Sequence, residues 1–300
     1  MEIPRKNIAA DLGLFAVVLI WGVNFSVLKV VMLELDPLAL NALRFPIAAI
    51  GLWVLVSKID GPLMPEPNDM VRIIVLGFLG NVAYQLCFIY GLNSTLAGNA
   101  SLILASAPVW TLILSSLVGE EQPSIRVVIG VAGTLVGIFM VIQSSSDVDT
   151  FASPSTSIGG GVLILIASVL WAMYTVGGKN PVTHYGALRV TAWTLWVATP
   201  VIFFLGLPDL MRTDLKTLTP QAWIGTVYAG LLGVGLAYLL WYRAVERIGN
   251  TRTAVYSNLV PVAALFTAWI WLGEIPSILQ LLGAAIILGS LTLVRLTHPS

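Results

Sequence analysis

One pattern in this chain occurs twice at a fixed distance. Pro108 precedes Glu121, Pro123-Ser124-Ile125 and Gly130; Pro261 precedes Glu274, Pro276-Ser277-Ile278 and Gly283; every pair is 153 residues apart. A second echo sets Ile20-Trp21-Gly22 and Lys29 against Leu170-Trp171-Ala172 and Lys179, at an offset of 150. Such self-similarity makes the chain a tandem of two related halves. Whether the halves lie parallel or inverted then depends on how often each crosses its surroundings.

Composition names those surroundings. Hydrophobic residues make up 57% of the chain, charged residues 10%, and the mean hydropathy is +0.91. A soluble domain carries about 25% charged residues. Too few charges are present to cover a water-facing surface, so the lipid bilayer is the expected partner. The net charge of zero leaves no electrostatic footprint for nucleic acid. One cysteine, Cys87, and two histidines, His184 and His298, are too few for a disulfide or a metal site, so no cofactor or metal is expected.

Nine polar or proline-bearing breaks separate ten apolar runs, near residues 12–32, 38–57, 71–92, 98–118, 124–143, 159–178, 187–207, 222–244, 253–272 and 277–297. Each is roughly 20 residues, enough to cross a ~30 Å hydrocarbon core. The runs are apolar all round rather than alternating, which excludes barrel strands. The expected fold is therefore all-α: a polytopic membrane protein with ten transmembrane helices in two inverted five-helix repeats, since five crossings per half is odd. The first repeat spans 1–143, a linker 144–158, and the second repeat 159–300. The first apolar run is too long for a signal-peptide core and reads as a permanent helix. With both termini cytoplasmic, 11 of the 15 basic residues fall on the inside, leaving Lys29, Arg44, Arg212 and Lys216 outside. The linker, which has no basic residue, is then extracytoplasmic. The location expected is a cell inner membrane.

Within the runs, polar and aromatic residues mark candidate positions for substrate contact. Asn24 is deep in run 1, where an amide must face protein or a cavity. Lys29, near the run's end, reads as a snorkelling side chain. Trp21 and Trp171 are repeat-related and too deep for interfacial tryptophans, unlike Trp53, Trp223, Trp269 and Trp271. In run 3, Asn81, Tyr84 and Phe88 share a helical face; Tyr238 and Tyr242 in run 8 have the same spacing. Those faces line a pathway or pack in a core. Run 4 offers Asn99 and Ser106, run 9 Tyr256 and Asn258. Pro108 and Pro261 are candidate hinges and leave the carbonyls of Leu104 and Ser257 without their helical donor. Gly130, Gly133, Gly137, Gly283 and Gly289 are expected to allow close helix packing. Glu121 and Glu274 are expected to favour the start of the helix that follows each.

No acidic residue lies near the middle of a run, so a carboxylate proton relay has no candidate. A phosphate-binding Gly-rich loop and the metalloprotease and serine-hydrolase patterns are absent, so an enzyme is not expected. No cluster of cavity cations is expected either, which argues against phosphorylated cargo.

Trp21-Gly22-Val23-Asn24-Phe25, the prolines Pro108 and Pro261, and the turns Glu121-Gln122-Pro123 and Glu274-Ile275-Pro276 resemble motifs of the drug/metabolite transporter superfamily, in particular its EamA family. The first turn departs from the family's Gly-Glu by carrying Gly119-Glu120-Glu121. The resemblance covers about residues 10–297 and is greatest to exporters of aromatic amino acids of the YddG type. It implies a central cavity lined by helices 1, 3, 4, 6, 8 and 9, and outward transport of a small net-neutral metabolite by alternating access. A multidrug or other metabolite exporter of the same fold is the alternative. A non-transporting membrane enzyme or scaffold is the alternative from another class.

The orientation is testable. In a chain lacking Cys87, single cysteines at Ser146 and Thr213 should react with an impermeant thiol reagent added outside, and one at Asn250 should not. Labelling of all three from one side would contradict inversion.

Overall fold

The computed structural model describes residues 8–59, 61, 64–119, 125–144 and 154–295. All regular structure among them is helical. We number ten helices: α1 Ile8–Val31, α2 Pro37–Ile59, α3 Pro67–Asn93, α4 Ala97–Leu117, α5 Ile125–Ser144, α6 Pro154–Tyr185, α7 Ala187–Arg212, α8 Pro220–Ile248, α9 250–272 and α10 Ile278–Arg295. Seven are long and apolar enough to cross a membrane; α5, α9 and α10 carry shorter apolar stretches. Glu121, Pro123, Ser146 and His298 lie outside the described residues.

Side-chain contacts near the helix ends show how α1, α3, α6, α8 and α9 run. At one face, Tyr256 donates to Asp11 (2.7 Å) and Tyr185 to Asp69 (2.7 Å), bringing together the starts of α1, α3 and α9 and the end of α6. At the opposite face, Lys29 donates to the Asn93 carbonyl (3.3 Å), and the Thr219 hydroxyl donates to Glu34 (2.6 Å). That hydroxyl, with the Thr219 amide, holds the exposed Glu34 carboxyl below its usual range. Helix α1 starts where α6 ends, so the halves are inverted. Packing repeats the relation: α1 lies on α8 and α9 as α6 lies on α3 and α4, while α2 pairs with α7 and α5 with α10.

Several boundaries differ from expectation. Helix α6 begins at Pro154, inside the stretch read as linker. It also continues through the break expected at Lys179–Tyr185 and turns only at Gly186, where φ is +84°. Pro181 removes the donor for the Gly177 carbonyl, and Arg72 of α3 supplies one in its place (3.2 Å). The helix survives because a neighbour satisfies the orphaned group. Asn250 is 4% exposed, so a cysteine there would be silent for want of access; exposed Glu246 is the informative position on that face.

Glu274 also behaves differently from its expected role at the start of its own following helix. Its carboxylate reaches across to α4 and accepts from the amides of Ala97 and Gly98, both at 3.0 Å. Those are among the orphan donors of a helix start, which a carboxylate satisfies well.

Glycines close the α5–α10 seam. A Cβ at Gly137 would come within 2.8 Å of the Gly283 carbonyl oxygen, and one at Gly283 would meet the Gly137 oxygen at the same distance. Gly133 packs on Ser290, whereas Gly289 has nothing within 4 Å and plays no such part. Gly137→Val should therefore lower the unfolding free energy by about 1–3 kcal/mol, read as a lower melting temperature in detergent. Gly289→Ala should leave it unchanged.

Candidate functional site

Helices α3, α4, α8 and α9 lose regular α geometry in their middles. Six residues of α3, Phe78–Ala83, and eight of α8, Ala229–Leu236, wind as π-helix, and the two stretches overlap at the 153-residue offset. Helix α4 breaks at Ala105–Ser106, two residues before Pro108. Helix α9 tightens to 3-10 geometry over Ser257–Leu259, two residues before Pro261. Interrupted helices paired in this way are where inverted-repeat proteins place a binding site, because irregular backbone is tolerated only when buried or lining a cavity.

A cavity of about 610 Å³, counting its mouth, lies at these interruptions. Its aromatic wall is Trp21 and Phe25 from α1, Tyr84 and Phe88 from α3, Trp171 from α6 and Tyr238 from α8. Trp21 meets Trp171 edge to face at 5.3 Å, and Trp171 meets Tyr238 at 4.9 Å. Tyr84 stacks on Phe88, 5.6 Å apart and 10° from parallel. Such contacts make a rigid apolar surface for a flat or aliphatic group. The indole of Trp21 is held by its N–H donating to the Gly233 carbonyl (3.0 Å), in the π-helical stretch of α8.

The polar part of the wall is small: Asn24, Arg44, Gln85, Ser101 and Ser257. Sequence patterning groups Arg44 with the outer basic residues and expects no cluster of cavity cations. The structure places this one cation in the lining. Arg44 is seven residues into α2, about 10 Å below its start, and 1% exposed. Its Nη2 donates to Gln85 Oε1 (2.6 Å), and Gln85 Nε2 donates to the Tyr238 hydroxyl (2.9 Å). Leu104 and Ser257, each four residues before one of the two repeat-related prolines, both line the cavity.

Of the residues singled out from sequence, the structure brings Trp21, Asn24, Tyr84, Phe88, Trp171 and Tyr238 together in that wall. The others stand elsewhere. Asn81 and Asn99 are buried beyond the lining. Ser106 donates to Ser168 of α6 (3.0 Å) and accepts from Trp110 (3.1 Å). Tyr242 donates to the Tyr174 carbonyl (3.0 Å) on α6. Tyr256 is engaged with Asp11, and Asn258 lies in the 3-10 turn outside the lining. Pro108 and Pro261 flank the breaks without lining the cavity. Phe25, Arg44 and Gln85 also line the cavity, and sequence patterning does not single them out. Phe25 shares the face of Trp21 at i+4, and an arginine this far inside an apolar run is itself a functional signal.

Ten helices in two inverted halves around a cavity at their interruptions define a membrane transporter of the inverted-repeat class. The sequence model of the EamA-like transporter family matches residues 8–143 and again 158–296. The chain belongs to the EamA-like transporter family; it is a transporter for a small molecule, embedded in a membrane, and not an enzyme. Among its relatives is a "Probable terminal-alkyne amino-acid exporter" of Streptantibioticus cattleyicolor, 28% identical over 94% of this chain and 92% of that protein. A "Probable amino-acid metabolite efflux pump" of Salmonella typhimurium is 28% identical over 92% of this chain and 91% of its own. The "Uncharacterized transporter YyaM" of Bacillus subtilis is 27% identical over 90% and 88%. A crystal structure at 18% identity matches with a TM-score of 0.68 across 97% of this chain and 98% of the other, which shows the shared fold.

Gln85→Leu tests the polar chain from Arg44 to Tyr238. It leaves the buried guanidinium without one of its two acceptors, so the unfolding free energy should fall by about 1.5–3 kcal/mol. Thermal unfolding of the purified protein reads the loss, and an unchanged transition would remove Gln85 from the support of Arg44.

Proposed function

We propose that the protein exports a small net-neutral amino acid with an apolar or aromatic side chain across the cell inner membrane, by alternating access and with both termini cytoplasmic. The observation that carries this reading is the cavity wall: six aromatic side chains at the level of the interrupted helices, with a few polar groups among them. Pockets of this make-up orient a ligand through the polar groups and hold its body by burial. The printed names of two relatives, an amino-acid exporter and an amino-acid metabolite efflux pump, support the same cargo class and direction.

In this mechanism the halves rock about the cavity. The contacts at the α1-start face, Tyr256 to Asp11 and Tyr185 to Asp69, part in one state. Those at the other face, Thr219 to Glu34 and Ala97 and Gly98 to Glu274, part in the other.

Counterflow in proteoliposomes tests the cargo. Tyr84→Ala and Trp171→Ala each remove an aromatic contact of about 0.5–1.5 kcal/mol beyond area burial. Phenylalanine flux should therefore fall by roughly 2- to 10-fold, while threonine flux changes less. Tyr84→Phe keeps the ring and should keep most of the flux. Equal losses for both cargoes, or normal flux in both alanine variants at normal protein level, would remove the aromatic wall from cargo recognition.

A further inference from the structure

The two halves are related by an offset of 150 residues through their first two helices: Trp21 corresponds to Trp171, and α2 begins at Pro37 where α7 begins at Ala187. At that offset Asn24 corresponds to Tyr174, and Arg44 to Thr194. In the second half the pair is complete in itself. The Tyr174 hydroxyl and Thr194 Oγ1 are 3.0 Å apart, both residues are buried, and the Tyr174 ring packs over Gly80. Neither lines the cavity.

In the first half the same two positions are left incomplete. Arg44 donates through Nε to Asn41 Oδ1 (2.7 Å) and through Nη2 to Gln85 Oε1, and both acceptors are neutral amides. Among the described residues no carboxylate is within ion-pair distance of it. Asn24 packs on Gly233, is 6% exposed, and its Oδ1 is buried with no hydrogen-bond donor. Both residues line the cavity. A buried guanidinium with no counter-charge and a buried carbonyl with no donor are each costly. The second half shows that this position in the fold requires neither a cation nor an amide. Their presence in the first half, facing one cavity, calls for a ligand carrying the complementary groups.

We propose that Arg44 binds the carboxylate of the cargo and that Asn24 Oδ1 accepts from its ammonium, so that the α-amino-acid zwitterion itself is what the first half recognises. This deepens the reading of the protein as an amino-acid exporter and rests on it. Gln85, fixed by Tyr238, orients the guanidinium so that its remaining N–H groups serve the ligand, as bidentate carboxylate recognition requires. The side chain of the cargo then lies against the aromatic wall. The ligand supplies the missing charge and the missing donor together, which couples occupancy to both residues.

The test uses the purified full chain and equilibrium binding of four probes: L-phenylalanine, L-phenylalaninamide, L-threonine and L-threoninamide. Each amide keeps the side chain and the ammonium and lacks the carboxylate. The wild type should bind the acid at least roughly tenfold tighter than its amide. Arg44→Gln should abolish that preference, and Arg44→Lys should keep part of it. An acid-to-amide ratio near one in the wild type overturns the proposal, as does a folded Arg44→Gln that keeps the full preference. Where Arg44→Gln does not fold, the wild-type ratio and Arg44→Lys decide. Arg44-dependent preference for threonine over threoninamide, with no binding of either aromatic probe, supports the role of Arg44 while rejecting aromatic cargo. Failure to bind either acid overturns the assignment of Arg44.

Discussion

Inside a hydrocarbon layer every backbone amide and carbonyl has to be satisfied by the protein itself, and this requirement decides where the helices of this chain can deviate. Helix α6 passes through Pro181 because Arg72 bonds the Gly177 carbonyl. The π-helical turn of α8 is tolerated where its Gly233 carbonyl receives the Trp21 indole. Elsewhere the same device ties neighbouring helices together: Tyr228 donates to the Ile20 carbonyl, and Trp196 to that of Ala49. Aromatic side chains with a polar tip are suited to this, since the ring stays in the apolar phase while one hydrogen bond crosses to the next helix. At the break of α9, beside the cavity, the rescue is local: the Ser257 hydroxyl donates to the Ala254 carbonyl (2.6 Å), and the Val260 amide donates to the Ser257 carbonyl.

Inversion makes the centre of the molecule a meeting of equivalent positions. Trp21 touches its mate Trp171, and Gln85 bonds Tyr238, its mate at the 153-residue offset. Equivalent residues that touch must lie beside the pseudo-twofold axis. The cavity is lined by both members of each pair, yet its polar lining is unequal, because Tyr174 and Thr194 bond each other in the second half where Asn24 and Arg44 line the cavity in the first. Two copies of one helical plan thus enclose one cavity whose polar groups are unequal in the two halves.

Much of the frame is legible in the sequence. Burial of helices in an apolar solvent writes itself as long apolar runs, and the 153-residue echo gives the halves. The depth of Trp21 and Trp171 likewise points inward, and neither has the exposure of Trp53 or Trp269. Helix rotation is far less legible, because apolar residues surround each helix and leave weak periodicity to read. Tyr238 and Tyr242 share spacing, yet one reaches the cavity and the other turns to α6. Arg44 shows the same gap from the other side: its charge suggests an outer location, and only the packing of α2 on α7 and α3 reveals the cavity beside it. The partner of Glu274 lies 177 residues away in sequence, at Ala97, and no local pattern announces so distant a cap.

That cap bears on the balance between conformers. The two hydrogen bonds from Ala97 and Gly98 to Glu274 exist only while the α9–α10 turn rests on the start of α4. Any arrangement that separates them leaves a carboxylate and two amides to be rehydrated. A difference of 1.4 kcal/mol between two arrangements is about a tenfold ratio of populations. A pair of charge-assisted bonds at one end of the bundle is therefore a thermodynamic weight on that end, set by a single glutamate whose bonded amides lie roughly 5–10 Å along α4 from the cavity residues Ser101 and Leu104, by the ~1.5 Å rise per residue.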